Sequence, residues 1–185
     1  MAPKRVNGST IEARTEFPPD AVAHIVRHLR PRDRVEIFGL RWDDDEAACV
    51  RDFCHVAGAL WRIWYYDGEP VAMNGVLPIR PGVVVASAFG TDKWRHVIRP
   101  MTRWSLNWCI PALQRAGYHR GEAYALALNA DGRAWIELLG GKIEAYLEQY
   151  GRNQETYILY AWRLNEDVLW RGRRIERSAA AMVHH

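Results

Sequence analysis

The sequence has few cysteines, few lysines and no long apolar run. No stretch of about 18 apolar residues occurs without a charge, so we predict no membrane-spanning helix. The N-terminal segment lacks the apolar core of a secretory signal, and we therefore expect a protein of the cytoplasm or of a particle assembled there. The three cysteines, Cys49, Cys54 and Cys109, have no paired spacing, which argues against a disulfide framework and against a metal site.

Lysine occurs at only three positions, Lys4, Lys93 and Lys142, among 25 basic residues, and the formal net charge is +3. The remaining basic residues are arginines, which make planar, bidentate contacts to phosphate or carboxylate and stack on aromatic rings. Nine tryptophans accompany them, and tryptophan is enriched both in cores and at interfaces. This composition favours contacts with a partner but does not indicate which class of molecule the partner is.

The 185 residues, 49% of them hydrophobic, predict one domain at residues 10–163. We expect residues 1–9 to be a flexible arm and residues 164–185 to be a basic tail, either a docking helix or an ordered arm. The hydrophobic spacing in the first half predicts a strand, three short helices and a three-stranded meander, at residues 9–16, 21–29, 32–42, 46–57, 60–66, 70–79 and 83–89. The last of these strands is apolar enough to be buried on both faces.

A long central helix is predicted at residues 94–116, with a kink or an early end at Pro111 and a cap at Gly117. A strand, a short helix and a hairpin follow it, at residues 118–128, 130–139, 142–150 and 155–163. Together these elements predict a mixed α/β layered fold.

This order of elements resembles that of the GNAT N-acetyltransferase superfamily over residues 10–163. The resemblance is carried by LWRIWYYDGEPVAMNGV in the first hairpin, GVVVASAF before the central helix, and ALALNADGRAWIELLGGKIE after it. It implies a mostly antiparallel central sheet of about six or seven strands with helices on both faces. It also implies acetyl-CoA as cofactor, with the pyrophosphate at the N-terminus of the central helix.

The family's pyrophosphate loop, Gln/Arg-x-x-Gly-x-Gly/Ala, corresponds here to residues 95–100. Arg95 keeps the first position, but Ile98 and Pro100 replace the two glycines. A β-branched side chain holds a phosphate away from the backbone, and proline removes an N–H donor. The side chains of Arg95, Arg99 and Arg103 could still bind an anion, or they form a solvated stripe that faces a partner.

The resemblance also assigns catalytic positions. Asn129 corresponds to the Asn that follows the family's fifth strand, but Ile136 stands where the family has its Tyr acid, and Trp135 precedes it. Neither side chain donates a proton as Tyr does. If the chain is an enzyme, the candidate bases are His119, Glu122 and Glu137, which the sequence alone does not rank.

A narrower resemblance is to the short-tailed phage internal virion protein A family. It is carried by the early proline and acidic segment, by Trp94-Arg95 at the start of the central helix, and by the stretch from Leu128-Asn129 to Leu139-Gly140. It implies a non-enzymatic protein of particle assembly or genome ejection, without a cofactor, in the virion or the host cytoplasm. Its partners would be virion proteins of the portal, tail or internal core, within an oligomeric assembly.

Two functions of different classes follow. The first is a non-enzymatic virion component built on a degenerate GNAT fold, and the alternative is an acetyl-CoA-dependent N-acetyltransferase with an atypical pyrophosphate loop. The tail suggests a partner contact, with nucleic acid as a further possibility whose binding would weaken with salt. The tail residues concerned are Trp170, Arg171, Arg173, Arg174 and Arg177.

Overall fold

The computed structural model describes residues 4–6, 8–55, 60–165, 168–170 and 173–175, with the backbone alone described at 4–6, 168–170 and 173–175. The strands found there are β1 (Lys4–Val6), β2 (Ser9–Arg14), β3 (Trp61–Tyr66), β4 (Glu69–Arg80), β5 (Val83–Gly90), β6 (Arg120–Leu126), β7 (Lys142–Leu147), β8 (Tyr157–Arg163), β9 (Val168–Trp170) and β10 (Arg173–Ile175). The helices are α1 (Pro19–Arg27), α2 (Pro31–Gly39), α3 (Glu46–His55), α4 (Trp94–Trp104), α5 (Ile110–Arg115) and α6 (Ala130–Leu138).

Eight strands form one sheet in the order β1-β2-β3-β4-β5-β6-β8-β7. Every neighbouring pair is antiparallel except β5 and β6, which are parallel. The predicted mixed α/β class and the mostly antiparallel sheet are therefore confirmed. The sheet has one strand more than expected, because Lys4–Val6 pairs with β2.

Two hydrophobic cores lie on the two faces of the sheet, as expected for helices on both sides. Helix α1 packs its apolar face on one side, where Ile25, Ile63 and Phe89 are buried. Helices α4 to α6 cover the other side, where Met101 and Ile158 are fully buried. The sheet is thus the middle of three layers, and a gap in it would connect the two faces.

The central helix is irregular close to the predicted position. A π turn at Ser105–Cys109 separates α4 from α5, and the N–H of Ile110 donates to the carbonyl of Ser105. Pro111 follows directly and has no N–H with which to continue the α-helical ladder. Gly117 ends the helical segment in the left-handed region, with φ at 81°.

The tail departs from one expectation. Its described parts are not helical: β9 and β10 pair with each other as an antiparallel two-stranded sheet. Arg171 and Arg177 lie outside the described residues, and no side chain is described for Trp170, Arg173 or Arg174. Across the described chain, no helix combines the length and apolar character needed to cross a bilayer.

Candidate active site

The parallel strands β5 and β6 begin together and then separate. Val83–Val85 pairs with Arg120–Glu122, and the ladder ends there although both strands continue. From Ala86 onward, the edge of β5 that faces β6 has no strand beside it. Residues 85–88 are accordingly half-buried, which corrects the prediction of a strand buried on both faces.

Helix α2 lies at the open end of this gap and contacts both strands. The N–H of Gly90, at the end of β5, donates to Asp33 Oδ2 over 2.9 Å. The N–H of Leu126, at the end of β6, donates to Glu36 Oε2 over 2.8 Å. Asp33 and Glu36 are three residues apart, so they share a face of the helix. Each carboxylate replaces a hydrogen bond that the missing strand pairing would have supplied.

The two carboxylates have different neighbours. Asp33 is 2% exposed and receives Nε and Nη2 of Arg30 over 2.9 and 2.8 Å. Burial raises the pKa of Asp33, while the guanidinium of Arg30 and the Gly90 amide act in the opposite direction. Asp33 is therefore held in an ion pair that also fixes the loop before α2.

Glu36 has no guanidinium hydrogen-bonded to it in the described structure. Its donors are amides: the Leu126 N–H and Asn129 Nδ2, the latter over 3.1 Å. Burial raises the pKa of Glu36 to about 7, assisted by the charge of Asp33 and opposed by the two amide hydrogen bonds. A carboxyl group with this pKa populates both protonation states near neutral pH, which is the property that a general base needs.

A cavity of about 120 Å³ lies beneath the gap, between the sheet and helices α4 to α6. Small side chains of β5 and β6 form its floor, at Ala86, Ala88 and Ala123. Its aromatic walls are Trp94, Trp104, Trp135 and Trp162. Through the gap it reaches Asp33 and Glu36 of α2, and Asn129 at the start of α6 also lines it.

The cavity wall is not purely apolar. Asn74 Nδ2 donates to Ser105 Oγ over 3.3 Å, at the first residue of the π turn. The indole N–H of Trp104 is buried and has no hydrogen-bond partner in the described structure. Because an unpaired buried donor costs free energy, this N–H is a candidate to bind an acceptor on a ligand.

The turn before α4 is closed by its own hydrogen bonds. The N–H groups of Lys93 and Trp94 donate to the side chain and carbonyl of Thr91, over 3.2 and 2.9 Å. The ring of Trp94 packs against Gly90, where an added Cβ would lie 3.1 Å from it. The Arg30 guanidinium covers the same ring at 4.6 Å from its centroid. The place where a helix N-terminus could hold a phosphate is therefore occupied by protein atoms.

Comparison with solved structures assigns the fold. The ribosomal-protein-S18-alanine N-acetyltransferase of Escherichia coli aligns with a TM-score of 0.59 and 17% identity, over 85% of this chain and 95% of its own. A proposed acetyltransferase from Salmonella typhimurium, solved with its cofactor acetyl-CoA, aligns with a TM-score of 0.59 and 15% identity, over 86% and 96%. The ribosomal-protein-S5-alanine acetyltransferase of Vibrio fischeri aligns with a TM-score of 0.59 and 10% identity, over 90% and 98%.

The chain has the GNAT fold. These identities are too low to carry an activity, a substrate or a cofactor to this protein. No protein-family model matches the sequence, and no curated protein matches it. The narrower resemblance to phage virion proteins has no support in these comparisons, so the virion role and location stay predictions.

Within the GNAT fold, Asn129 lies at the site. It is the N-cap of α6, and its Oδ1 accepts the N–H of Gly132 over 3.2 Å while its Nδ2 donates to Glu36. Trp135 and Ile136 also line the cavity. The Trp135 indole donates to Thr102 Oγ1 over 2.9 Å, which locks α6 to α4.

The three candidate bases do not line the cavity. Glu122 is 3% exposed and accepts Arg80 Nη2 and Arg120 Nε over 2.8 and 2.7 Å. Glu137 accepts the hydroxyl of Tyr160 over 2.8 Å on the outer side of α6. His119 lies at the paired end of β5 and β6, against Gly82. We find structural contacts at each of these residues.

The arginines of the expected pyrophosphate loop point outward. Arg95, Arg99 and Arg103 are all exposed, one helical turn apart on α4. Ile98 is instead packed against the core, so its side chain belongs to the buried face of the helix. We call the three exposed residues the arginine stripe.

Sequence reasoning missed Asp33 and Glu36. Their partners are 57 and 90 residues away in the chain, and no local pattern links α2 to the ends of β5 and β6. One signal was present. Asp33 and Glu36 are three residues apart on a short helix with few apolar residues, so the helix face that carries them is more polar than packing against a core requires.

Proposed function

We propose that the protein is an N-acyltransferase that transfers an acyl group from the thioester of a pantetheine arm to an amine. The observation that carries the proposal is the position of Glu36: a carboxyl group with a pKa of about 7, at the point where the split between β5 and β6 opens into the cavity. Acetyl-CoA is the donor that the GNAT fold implies.

The cavity fits the reactive end of such a donor. The unpaired edge of β5 at Ala86, Ser87 and Ala88 would hold the arm by main-chain hydrogen bonds, and the Trp104 indole N–H adds a buried donor. When bound, a thioester supplies an acyl carbon that is activated toward amines. The nucleotide end fits less well, because Trp94 fills the position expected for the pyrophosphate.

Residues of the chain would prepare the amine. Ionised Glu36 would attract an ammonium group to the open end of the gap and take its proton, which frees the nitrogen lone pair for attack on the acyl carbon. The C–N bond would form as the C–S bond breaks, and the second amine proton would pass to the sulfur, so that the arm leaves as a free thiol. The amide donors from Leu126 and Asn129 fix the carboxylate in place. The walls of Trp135 and Ile136 exclude water from the reacting atoms, which favours transfer to an amine over hydrolysis.

The test is direct transfer. Purified protein would be incubated with acetyl-CoA or acetyl-pantetheine and with amines that include lysine peptides, free peptide N-termini and polyamines, and acylated products would be measured by mass spectrometry. We expect thioester-dependent product with wild-type protein and a large loss with Glu36→Gln. Absence of product from every pair, or equal rates for the variant, would overturn the proposal.

A second candidate is a non-enzymatic protein on the same fold, as in the predicted virion component. It is favoured by the filled pyrophosphate position at Trp94 and by Ile136 in place of a Tyr acid. It predicts no saturable binding of any pantetheine thioester, and co-purification with phage particles. Titration calorimetry with acetyl-pantetheine therefore separates the two candidates.

A further inference from the structure

The two halves of the expected donor site differ: one half is open and the other is closed by protein atoms. The half that would hold a pantetheine arm is open, with an unpaired β5 edge above a cavity. The half that would hold the nucleotide pyrophosphate is closed by Trp94 and by the hydrogen-bonded Thr91 turn. A donor that has the arm but lacks the nucleotide would meet no such obstacle.

A basic surface continues along α4 from the cavity wall. Trp94 lines the cavity, and the arginine stripe begins at the next residue. Arg95, Arg99 and Arg103 follow one another at about 6 Å intervals along α4, since each helical residue rises about 1.5 Å. No acidic residue occurs between Asp92 and Glu122.

The arginine stripe is also free to bind. Among the described residues, none of its three members forms an ion pair, whereas arginines on other elements, such as Arg34 and Arg41, do so. Their packed neighbours on α4 hold the helix firmly, since Val97 and Met101 are fully buried. Arg95 Nε donates to His96 Nε2 over 3.4 Å, which leaves the rest of its guanidinium group available. A row of guanidinium groups without acidic partners suits a row of carboxylates on a partner.

We infer that the acyl donor is a phosphopantetheine arm attached to an acidic carrier protein, not the free coenzyme A nucleotide. The arm enters between β5 and β6, and the arginine stripe binds acidic residues of the carrier. This inference rests on the proposed function for the thioester chemistry, and adds the partner and the surface that recognises it.

The experiment compares three acetyl donors by binding to the full chain: acetyl-pantetheine, acetyl-CoA and an acidic carrier protein bearing acetyl-phosphopantetheine. We expect the carrier to bind at least about tenfold more tightly than acetyl-CoA at low salt, and to lose that advantage as salt screens the charges. The variant Arg95→Glu/Arg99→Glu/Arg103→Glu should weaken carrier binding at least about tenfold and leave acetyl-pantetheine binding unchanged.

A matched control reverses three exposed arginines on the α1 side of the sheet, Arg14, Arg27 and Arg51, with the same change in net charge. It should leave carrier binding close to wild type. Tighter binding of acetyl-CoA than of the carrier would overturn the inference while leaving the proposed function intact, and so would equal effects of the two triple variants. Failure of all three donors to bind would instead overturn the proposed function.

Discussion

The two ends of the parallel pair β5–β6 each have a carboxylate, and the comparison separates two uses of an acidic side chain. At the paired end, Glu122 accepts hydrogen bonds from Arg80 and Arg120. At the open end, Glu36 accepts only amide hydrogen bonds, and its pKa rises to about 7. Glu122 is buried between two guanidinium groups, whereas Glu36 is half-buried and has none hydrogen-bonded to it in the described structure, so one carboxylate holds arginines in place and the other faces the cavity.

The comparison is tested most strongly by Glu36→Gln. Both amide donors converge on the same oxygen, Oε2, so the glutamine carbonyl can keep both hydrogen bonds while the proton acceptor is lost. We expect kcat/KM for acyl transfer to fall by about 10²–10⁴-fold, the usual contribution of a general base. Wild-type kcat/KM should rise with pH through a midpoint near 7, and a variant that keeps this profile would rule Glu36 out.

Glu122→Gln addresses the opposite end. This substitution removes the negative charge that neutralises Arg80 and Arg120. We expect the free energy of unfolding to fall by about 2 kcal/mol. The loss is not larger because the Arg80 side chain is 57% exposed and can be solvated. Urea denaturation measures this change in the free energy of unfolding. Glu144→Gln is the matched control, because Glu144 pairs with the same Arg120 at an exposed position and should cost well under 1 kcal/mol.

The sequence predicted the elements of the fold better than the site. Local signals were sufficient where a residue acts on its own neighbourhood: Gly117 ends a helix, and Pro111 follows an irregular turn. The separation of β5 from β6 cannot be predicted from local sequence, because it depends on where the hydrogen-bond ladder between residues 35 or more apart in the chain ends. Glu36 gains its raised pKa only from that tertiary contact, so its own segment could not reveal it.

The pH dependence of stability gives a third test. The pKa of Glu36 is raised in the folded state, so between about pH 4.5 and 7 the folded protein binds more protons at this site than the unfolded chain does. Its contribution to stability is therefore present at low pH and is lost as pH rises through 7. The free energy of unfolding of Glu36→Gln, relative to wild type, should be about 2–3 kcal/mol more favourable at pH 8 than at pH 5. An unchanged difference across this range would contradict the pKa assignment.

The smallest effect is expected at Asn129. Asn129→Ala removes the cap on Gly132 and one of the donors to Glu36, and should cost about 1 kcal/mol of stability. It should also raise the pKa of Glu36 further, which would move the pH–rate midpoint upward. Asn129→Asp separates the two roles: it keeps the capping acceptor but places a negative charge beside Glu36, so the midpoint should still rise without the loss of the cap.

The tryptophans around the cavity give the protein a built-in optical signal. Four of the nine line its walls, at Trp94, Trp104, Trp135 and Trp162. Indole emission shifts with the polarity of its surroundings, so a guest that displaces water from this space would change the intrinsic fluorescence without any label. Trp42 is fully exposed and contributes a solvent-type background, which Trp42→Phe would remove. Ligand entry could then be followed in real time, independently of any chemistry that follows.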